Sequence, residues 1–553
     1  MPSLVGSEMC IRDRQKIAKK FEKVKEERIM KEWNEAWSWD ENEKKTPGKS
    51  WNGRPIAIVR EFIKEKGLKI YGGLALNELL KKKKAPIYGP NEFPDYDVFS
   101  PNAWEHAKEL CDILVESGYQ FVEARGSILN DEHHQTYKVG VDYQDILDLT
   151  QAGCPNRHIK EHDCNTCGLS KDKKCISIFN HIPCYDINSS LKKEPKIYTQ
   201  VYNYDKDESF HKNKMFVCEP NWMRISMYRE LTEPLDNPGR LEKVSTRLDL
   251  FNKHYPYKIK KCKPEEYQQL VNKDFKSILT TIGKFVNKKE LINYGASAYN
   301  FFVKNVKGIG SLNIADYEVY CDLLNLSTFN YEGYPNYDLE LFDLLKNKYT
   351  NFTFKIQKKK MFWKEIDVDS ITIFSKKNGS KEYNKLITFT IIETCMPYVK
   401  YNGVKYATSD RLKYLYYRAV ALPEVVQLTE NNPQNYKCLL NNLLIAEKRN
   451  KSKKGKFRRY IVNCDGWTPA KRWKNLINRY HQKESLLKKT YYKIDHPKKG
   501  FKTTIQQLPD KHIIIPYSPR LDKIKKKRTT YKYPHKKKHY RKYTKKNIHN
   551  TIL

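Results

Sequence analysis

Two glycines stand where a short β-like run, Leu68-Lys69-Ile70-Tyr71, meets a helix-like one, Leu74 to Leu80, and this junction constrains the chain more than any other feature. Gly72-Gly73 lets backbone N–H groups come close to an anion, and the first turn of a helix adds unpaired donors and a favourable dipole. Downstream, the run Asp95-Tyr96-Asp97-Val98-Phe99 has β character, so at period two Asp95 and Asp97 share a side, where they repel each other unless cations neutralise them. Asp148 lies in Ile146-Leu147-Asp148-Leu149-Thr150, between two apolar residues and facing away from both. An acid in so apolar a strand needs a partner; a metal ion is one, and the alternative is a rim carboxylate bonded to a neighbouring lysine. The glycine turn, the paired acids and the third acid together describe a triphosphate cradle beside a two-metal clamp, which implies nucleotidyl transfer.

The order of the surrounding elements supports this grouping. Pro55 to Lys66 carries Ile56, Ile58, Val59, Phe62 and Ile63 at helical spacing and ends at Gly67. Trp104 to Ser117 repeats the pattern with Ala107, Leu110, Ile113 and Leu114, and the runs 136–141 and 146–150 read as a hairpin. Lys81 to Lys84 follow the glycine helix as a solvated C-terminal turn.

A second segment repeats the first. Tyr294-Gly295-Ala296-Ser297-Ala298-Tyr299-Asn300 follows Tyr71 to Asn77, and Asp316-Tyr317-Glu318-Val319-Tyr320 follows Asp95 to Phe99 at nearly the same interval. Ala296 replaces the second glycine, and its Cβ hinders close approach to phosphate. The copy therefore reads as a degenerate duplicate that holds RNA, a partner or the first copy, with Asp367 or Asp369 in the place of Asp148.

A chain of 553 residues suggests about three units. Lys+Arg total 103 against 65 Asp+Glu, and 39 tyrosines are interleaved with that charge. Such a surface suits RNA or single-stranded DNA, although an AT-rich genome also raises lysine and tyrosine. No apolar run reaches the roughly 18 residues of a membrane span and no signal-peptide layout is visible, so an intracellular protein without a membrane partner is expected. Thirteen cysteines, an odd number, argue for reduced thiols. One group, Cys154, Cys164, Cys167, Cys175 and Cys184 with His158, His162 and His181, has partial zinc-like spacing. Cys154, Cys164, Cys167 and Cys175 would complete a tetrahedron; the alternative is a loop without metal. Arg520 to Lys546 holds fourteen Lys or Arg against Asp522 alone and cannot fold by itself. Its tyrosines favour RNA binding, with solubilisation or nuclear import as alternatives. Residues 1–14 resemble an adapter-derived artefact of sequence assembly and are set aside.

Arg240, Lys243 and Arg247 share a helical face at i, i+3 and i+7, with Arg224 on a nearby helical segment. Such a stripe could hold triphosphate or RNA backbone, or it is a solvated face that balances Glu230 and Glu242.

The wording Tyr71-Gly72-Gly73-Leu74-Ala75-Leu76-Asn77, Asp95-Tyr96-Asp97-Val98-Phe99-Ser100, Thr136-Tyr137-Lys138-Val139 and Asp148-Leu149-Thr150 resembles the nucleotidyltransferase superfamily of poly(A) polymerases, CCA-adding enzymes and DNA polymerase beta. With Arg224 to Leu231, Pro234 and Arg240 to Leu248, it is most similar to the poly(A) polymerase catalytic subunits of giant cytoplasmic DNA viruses, over about half the chain, residues 55–330. The resemblance implies an α/β (α+β) fold, with a polymerase-beta-like core, a degenerate second copy, helical connecting segments and a disordered basic tail. It implies two Mg2+ or Mn2+ ions held by Asp95, Asp97 and Asp148, with Asp148 accepting the proton of a primer 3′-hydroxyl. ATP is the implied substrate, bound by Gly72, Gly73, Asn77, Arg224, Arg240, Lys243 and Arg247, and the 3′ end of an mRNA is the acceptor. A homodimer, a viral mRNA-processing partner and a place in the viral factory of the host cytoplasm, or in the virion, complete the expectation. The expected units are a helical arm (15–50), the catalytic domain (51–215, with the cysteine-rich insert at about 153–185), a helical connection (216–288), the degenerate copy (289–425), a C-terminal region (426–510) and the basic tail (511–553). Another terminal nucleotidyltransferase and an inactive RNA-binding scaffold are the rival readings.

Overall fold

The computed structural model describes residues 55–89, 95–152, 169–187, 214–259, 273–359 and 369–457, less short internal segments, together with Cys262 and strands 464–465, 491–494 and 505–508. The N-terminal arm, the basic tail, and Cys154, Cys164 and Cys167 of the expected zinc group lie outside the described residues.

The first copy runs α1 (Pro55–Glu65), β1 (Lys69–Tyr71), α2 (Gly72–Lys81), β2 (Tyr96–Ser100), α3 (Ala103–Glu116), β3 (Val122–Gly126), β4 (Thr136–Val141) and β5 (Gln144–Gln151). After a small hairpin, β6 (Leu169–Lys171) and β7 (Lys174–Ile176), come α4 (Ile178–His181), β8 (Cys184–Asp186), β9 (Phe216–Cys218), α5 (Pro220–Thr232) and α6 (Pro238–His254). The second copy repeats the scheme as α7 (Lys276–Lys288), β10 (Ile292–Tyr294), α8 (Gly295–Val303), β11 (Tyr317–Asp322), α9 (Tyr337–Lys348), β12 (Phe352–Lys359), β13 (Ser370–Lys377) and β14 (Asn384–Ile392). It continues as β15 (Met396–Tyr401), β16 (Val404–Ala407), α10 (Ser409–Ala421) and α11 (Pro433–Arg449), and β17 (Cys464–Asp465), β18 (Tyr491–Ile494) and β19 (Ile505–Leu508) follow.

Each copy is a mixed sheet under helices. The first has the order β19-β18-β3-β4-β5-β2-β1-β9-β8, the second β12-β13-β14-β11-β10-β16-β15-β17. Seven strands superpose one for one, from β3 on β12 to β8 on β15. The added strands differ, since β18 and β19 extend the β3 edge of the first sheet and β17 the β15 edge of the second, where β12 ends the sheet among the described residues.

Register makes the duplication explicit. Tyr71 pairs with Asp97, Asp97 with Asp148 and Asp148 with Lys138; the counterparts are Tyr294 with Glu318, Glu318 with Thr388 and Thr388 with Thr372. A register shift falls at the same place in both, Val139/Gly140 and Ile373/Phe374. Thr388, and neither Asp367 nor Asp369, thus stands where Asp148 does. Asp369 precedes β13, where its carbonyl accepts from the Ile391 N–H, and Asp367 lies outside the described residues.

The element boundaries follow burial. On α1, Ile56, Ile58, Val59, Phe62 and Ile63 are buried, and α7, with Ile278, Leu279, Ile282, Phe285 and Val286 buried, stands before β10 as α1 stands before β1. The second copy therefore starts ahead of the expected residue 289. The first extends past 215, because β9 pairs in parallel with β1. The second of these shifts arises because a strand as short as β9 carries little periodicity.

The two copies pack through α5 and α10, which occupy equivalent places after β9 and β16. Glu219 accepts from the N–H groups of Asn221 and Trp222 at the start of α5, and Thr408 accepts from the Arg411 N–H at the start of α10. Apolar side chains of both copies join in one core, whereas the far side of the second sheet packs separately on α7 and α9. Cys262 and Cys438 form a disulfide, against the expectation of reduced thiols throughout. Cys184, placed by sequence with the zinc group, is instead a buried free thiol on β8 paired across the ladder with Cys218, because it belongs to the core strand and not to the insert. Cys175 lies on β7. No described helix is long and apolar enough to cross a membrane.

Candidate active site

The turn between β1 and α2 is shaped by a carboxylate. Gly72 has φ +70° and a Cβ there would overlap the Asp97 carboxylate, which accepts the Gly73 N–H. Glycine serves first to seat Asp97 at the helix start. Gly295, φ +62°, seats Glu318 in the same way in the second copy.

Asp95, Asp97 and Asp148 each offer a carboxylate oxygen, all within 4.8 Å of one another. Leu147 and Leu149, fully buried, turn Asp148 to the opposite side of β5, into the cleft. Burial, and after it the charges of Asp95 and Asp148, push the Asp97 carboxyl up to about 8 against the pull of Lys138 and the Gly73 N–H. Burial also raises Asp148, which its ion pair with Lys138 opposes and Asp95 and Asp145 reinforce.

Lys138, which sequence reading did not single out, donates to both oxygens of Asp148 at 2.9 and 2.7 Å and lies 3.4 Å from Asp145. Arg125 holds Asp145 from the other side through both carboxylate oxygens. The rival reading of Asp148, a carboxylate bonded to a neighbouring lysine, is therefore also realised, yet one ammonium facing three carboxylates leaves the cluster negative. Three converging carboxylate oxygens, those of Asp97 and Asp148 desolvated, are a donor set that fits hard divalent cations such as Mg2+ or Mn2+. The signal for Lys138 lay in the hairpin register, since it alternates with buried Tyr137 and Val139 opposite Asp148.

The expected nucleotide-binding residues separate into three groups. Arg247 lies at the cleft: it donates to the Tyr88 hydroxyl at 3.1 Å, its guanidinium sits 5.2 Å from that ring centroid, and the hydroxyl occupies the space a Cβ on Gly73 would need. Lys243 is exposed on α6, and Arg240 is in the first turn of the same helix. Asn77 is a clasp, with its Oδ1 accepting the N–H groups of Ile87 and Tyr88 at 3.0 and 3.2 Å, so it positions the loop that carries Tyr88. Arg224, 1% exposed, lies in the seam between copies. It donates to Asn252, Asn221 and the Tyr255 carbonyl and lies over Phe251 and Tyr417, an environment that occupies its donors with protein.

The second copy acts as an internal control. Asn300, the counterpart of Asn77, exchanges hydrogen bonds with the Leu312 backbone, and Tyr294 bonds Thr390 as Tyr71 bonds Thr150. Features present in both copies are thus scaffold. The chemistry differs: Thr388 removes the third acid, and Lys385 lies 2.6 Å from Asp316 and 3.3 Å from Glu318. Among the described residues only the first copy gathers three such acids.

Residues 57–157 match the family model "Poly(A) polymerase catalytic subunit". A protein of African swine fever virus (strain Badajoz 1971 Vero-adapted) assigned as a poly(A) polymerase catalytic subunit is 30% identical over 207 residues, 36% of this chain and 33% of that one, so the chain spans about a third of that relative's length. A protein of Acanthamoeba polyphaga mimivirus with the same assignment is 26% identical over 506 residues, 81% of this chain and 76% of its own. The crystal structure of the Megavirus polyadenylate synthase shares the fold, with a TM-score of 0.56 at 18% identity over 94% of this chain and 90% of that one. The glycine turn and all three clustered acids fall inside the matched segment, which is thus similar to the viral poly(A) polymerase catalytic subunits, while the chain as a whole shares the fold of the Megavirus protein.

Proposed function

We propose that this protein is a template-independent polynucleotide adenylyltransferase, which adds AMP from ATP to RNA 3′ ends. The observation that carries the reading is the convergence of Asp95, Asp97 and Asp148 within 4.8 Å beside the glycine turn, in the segment that matches the family. Asp95, Asp97 and Asp148 would hold Mg2+ or Mn2+. Bound there, such ions lower the pKa of an attacking hydroxyl and neutralise triphosphate charge. Asp97 is fixed by the Gly73 N–H and by the close fit of Gly72, so its carboxylate needs no reorganisation. Asp148, raised in basicity and held by Lys138, is suited to take the hydroxyl proton of the primer. Arg247, set by Tyr88 at the mouth of the cleft, gives the triphosphate a planar cationic partner, while Lys243 stands one helical turn away. Adenine selectivity rests on the family.

The experiment is an extension assay with purified protein, an RNA primer and each nucleoside triphosphate in turn, with Mg2+ or Mn2+ and then with EDTA. Divalent-dependent addition of A alone is the expected result. Addition of another nucleotide transfers the reading to a different terminal transferase, and RNA binding without addition under any condition leaves the inactive scaffold.

A further inference from the structure

We propose that the open face of β12, β13 and β14 in the second copy is a binding surface for single-stranded RNA. The proposal rests on the reading of RNA as acceptor and names where the acceptor's upstream nucleotides run. Register carries the argument. Lys355 pairs with Phe374 and Phe374 with Lys385, and the residues at these three positions in the first copy are Glu123, Gly140 and Asp145. Two acids have thus become lysines and a glycine an aromatic ring, on the sheet face that in the first copy leads into the acidic cleft. Thr388 and Thr372, hydrogen-bonded to each other at 3.1 Å, continue this face to Glu318 in place of Asp148 and Lys138.

The side chains form a set. Lys355 Nζ lies 4.2 Å from the Tyr383 ring centroid and 5.1 Å from that of Phe374, and Lys376 Nζ lies 5.1 Å from Tyr383. Lys355 and Lys359 are exposed on this face, and both rings are half-buried with accessible surface. The opposite face is closed, since Ile371 and Ile373 pack with the buried side chains of α7 and α9. Lys377 is engaged by Asp274 at 3.1 Å and Lys385 by Asp316 and Glu318, which leaves Lys355 and Lys376 as the central cations. Lysines interleaved with rings on a sheet face give backbone neutralisation and base stacking, the two requirements of sequence-tolerant single-strand binding. A protein strand is a poor occupant, because a lysine-rich edge discourages strand addition. The first copy adds β18 and β19 at the equivalent edge, whereas β12 ends its sheet among the described residues.

The test uses the full chain and a fluorescein-labelled single-stranded RNA of about twenty nucleotides, in EDTA and without nucleotide, with anisotropy read across a salt series. Neither divalent ion nor transfer enters, so the outcome is independent of whether the first copy is a polymerase. Lys355→Glu/Lys376→Glu is expected to weaken binding at least tenfold and to flatten the log–log salt slope by roughly 1.4, two released counterions at about 0.7 each. Phe374→Ala/Tyr383→Ala is expected to weaken binding at least fivefold with the slope retained. Lys288→Glu/Lys346→Glu, which reverses the same charge on α7 and α9, serves as the comparison, and circular dichroism and melting confirm that each variant is folded. Equal losses in both lysine pairs mean nonspecific attraction and overturn the proposal. Unchanged affinity in Lys355→Glu/Lys376→Glu also overturns it and leaves these lysines as edge protection.

Discussion

Tyr228 and Tyr417 hold the same position in the two copies and stack on each other, with ring centroids 5.6 Å apart and planes 14° from parallel. A pseudo-twofold axis therefore passes between them. The cations around them follow the same symmetry: Arg224 lies 5.5 Å from the Tyr417 centroid, and Lys413, its counterpart, lies 5.4 Å from Tyr228. Lys413 is itself fully buried, paired with Asp410 and Glu447. A contact between equivalent surfaces of two copies is self-complementary, as in a symmetric dimer, here within one chain.

This seam predicts a division between stability and binding. Tyr417→Ala should cost about 3 to 5 kcal/mol, as large-to-small core changes with an aromatic ring do, and should show in denaturant unfolding. Arg224→Lys should also destabilise, since it gives up a fork that bonds Asn252, Asn221 and the Tyr255 carbonyl, yet leave KM for ATP unchanged. A raised KM at unchanged stability would return Arg224 to the nucleotide site.

Asp97→Asn keeps side-chain volume and replaces a desolvated carboxyl that, without metal, must take up a proton on folding at neutral pH. The metal-free variant should melt higher than the parent, lose the stabilisation that Mn2+ confers, and lose nucleotide addition by several orders of magnitude. Calorimetric melts with and without Mn2+, beside the extension assay, check all three; retained addition would remove Asp97 from the mechanism.

The raised Asp97 carboxyl sets a pH dependence. Its folded value of about 8 exceeds the ordinary aspartate value of 3.8, so across that interval the folded metal-free protein holds a proton that the unfolded chain has shed. Its contribution to stability is complete below the lower value and declines as pH rises toward about 8, with no further change above it. Binding a cation displaces that proton, so apparent Mn2+ affinity should rise by about tenfold per pH unit up to this value and then level. Titration of Mn2+ by calorimetry between pH 6 and 9 checks the sign; affinity independent of pH would contradict it.

The paired clasps separate scaffold from chemistry. Asn300→Ala should lower stability by about 1 to 3 kcal/mol, the cost of leaving buried backbone groups unpaired, with no effect on ATP. Asn77→Ala should do the same and also raise KM for ATP, because it releases the loop whose Tyr88 sets Arg247. Arg247→Ala should raise KM at least tenfold at full stability. Equal KM in Asn77→Ala and Asn300→Ala would show that the Tyr88 loop has no part in binding.

Local periodicity was enough to find α1, α2, α3, β4 and the hairpin through β5, because each carries a sustained alternation or helical stripe bounded by glycine, proline or polar turns. It also found all three acids, since strand alternation decides on which face a side chain lies. The second copy was found differently, as a repeat of residue identities through Tyr294, Gly295 and Asn300. What it could not find was pairing. Thr388 became the counterpart of Asp148 only through the ladder that joins β11 to β14, and β9 entered the first sheet by a parallel pairing with β1 across more than a hundred residues of chain.

The chain by itself determined which residues can reach a cleft, because the side of a strand or helix is a local property of spacing. Tertiary structure decided what each meets there. Asn77 and Arg224 have the right residue types for a nucleotide, yet one binds a loop and the other bonds its own copy and lies over Tyr417 of the opposite one, while Lys138 and Tyr88, to which sequence reading gave no role, stand at the site. A polar side chain takes whichever partner the fold brings within about 3 Å, and that distance is set by strands and helices far apart in sequence.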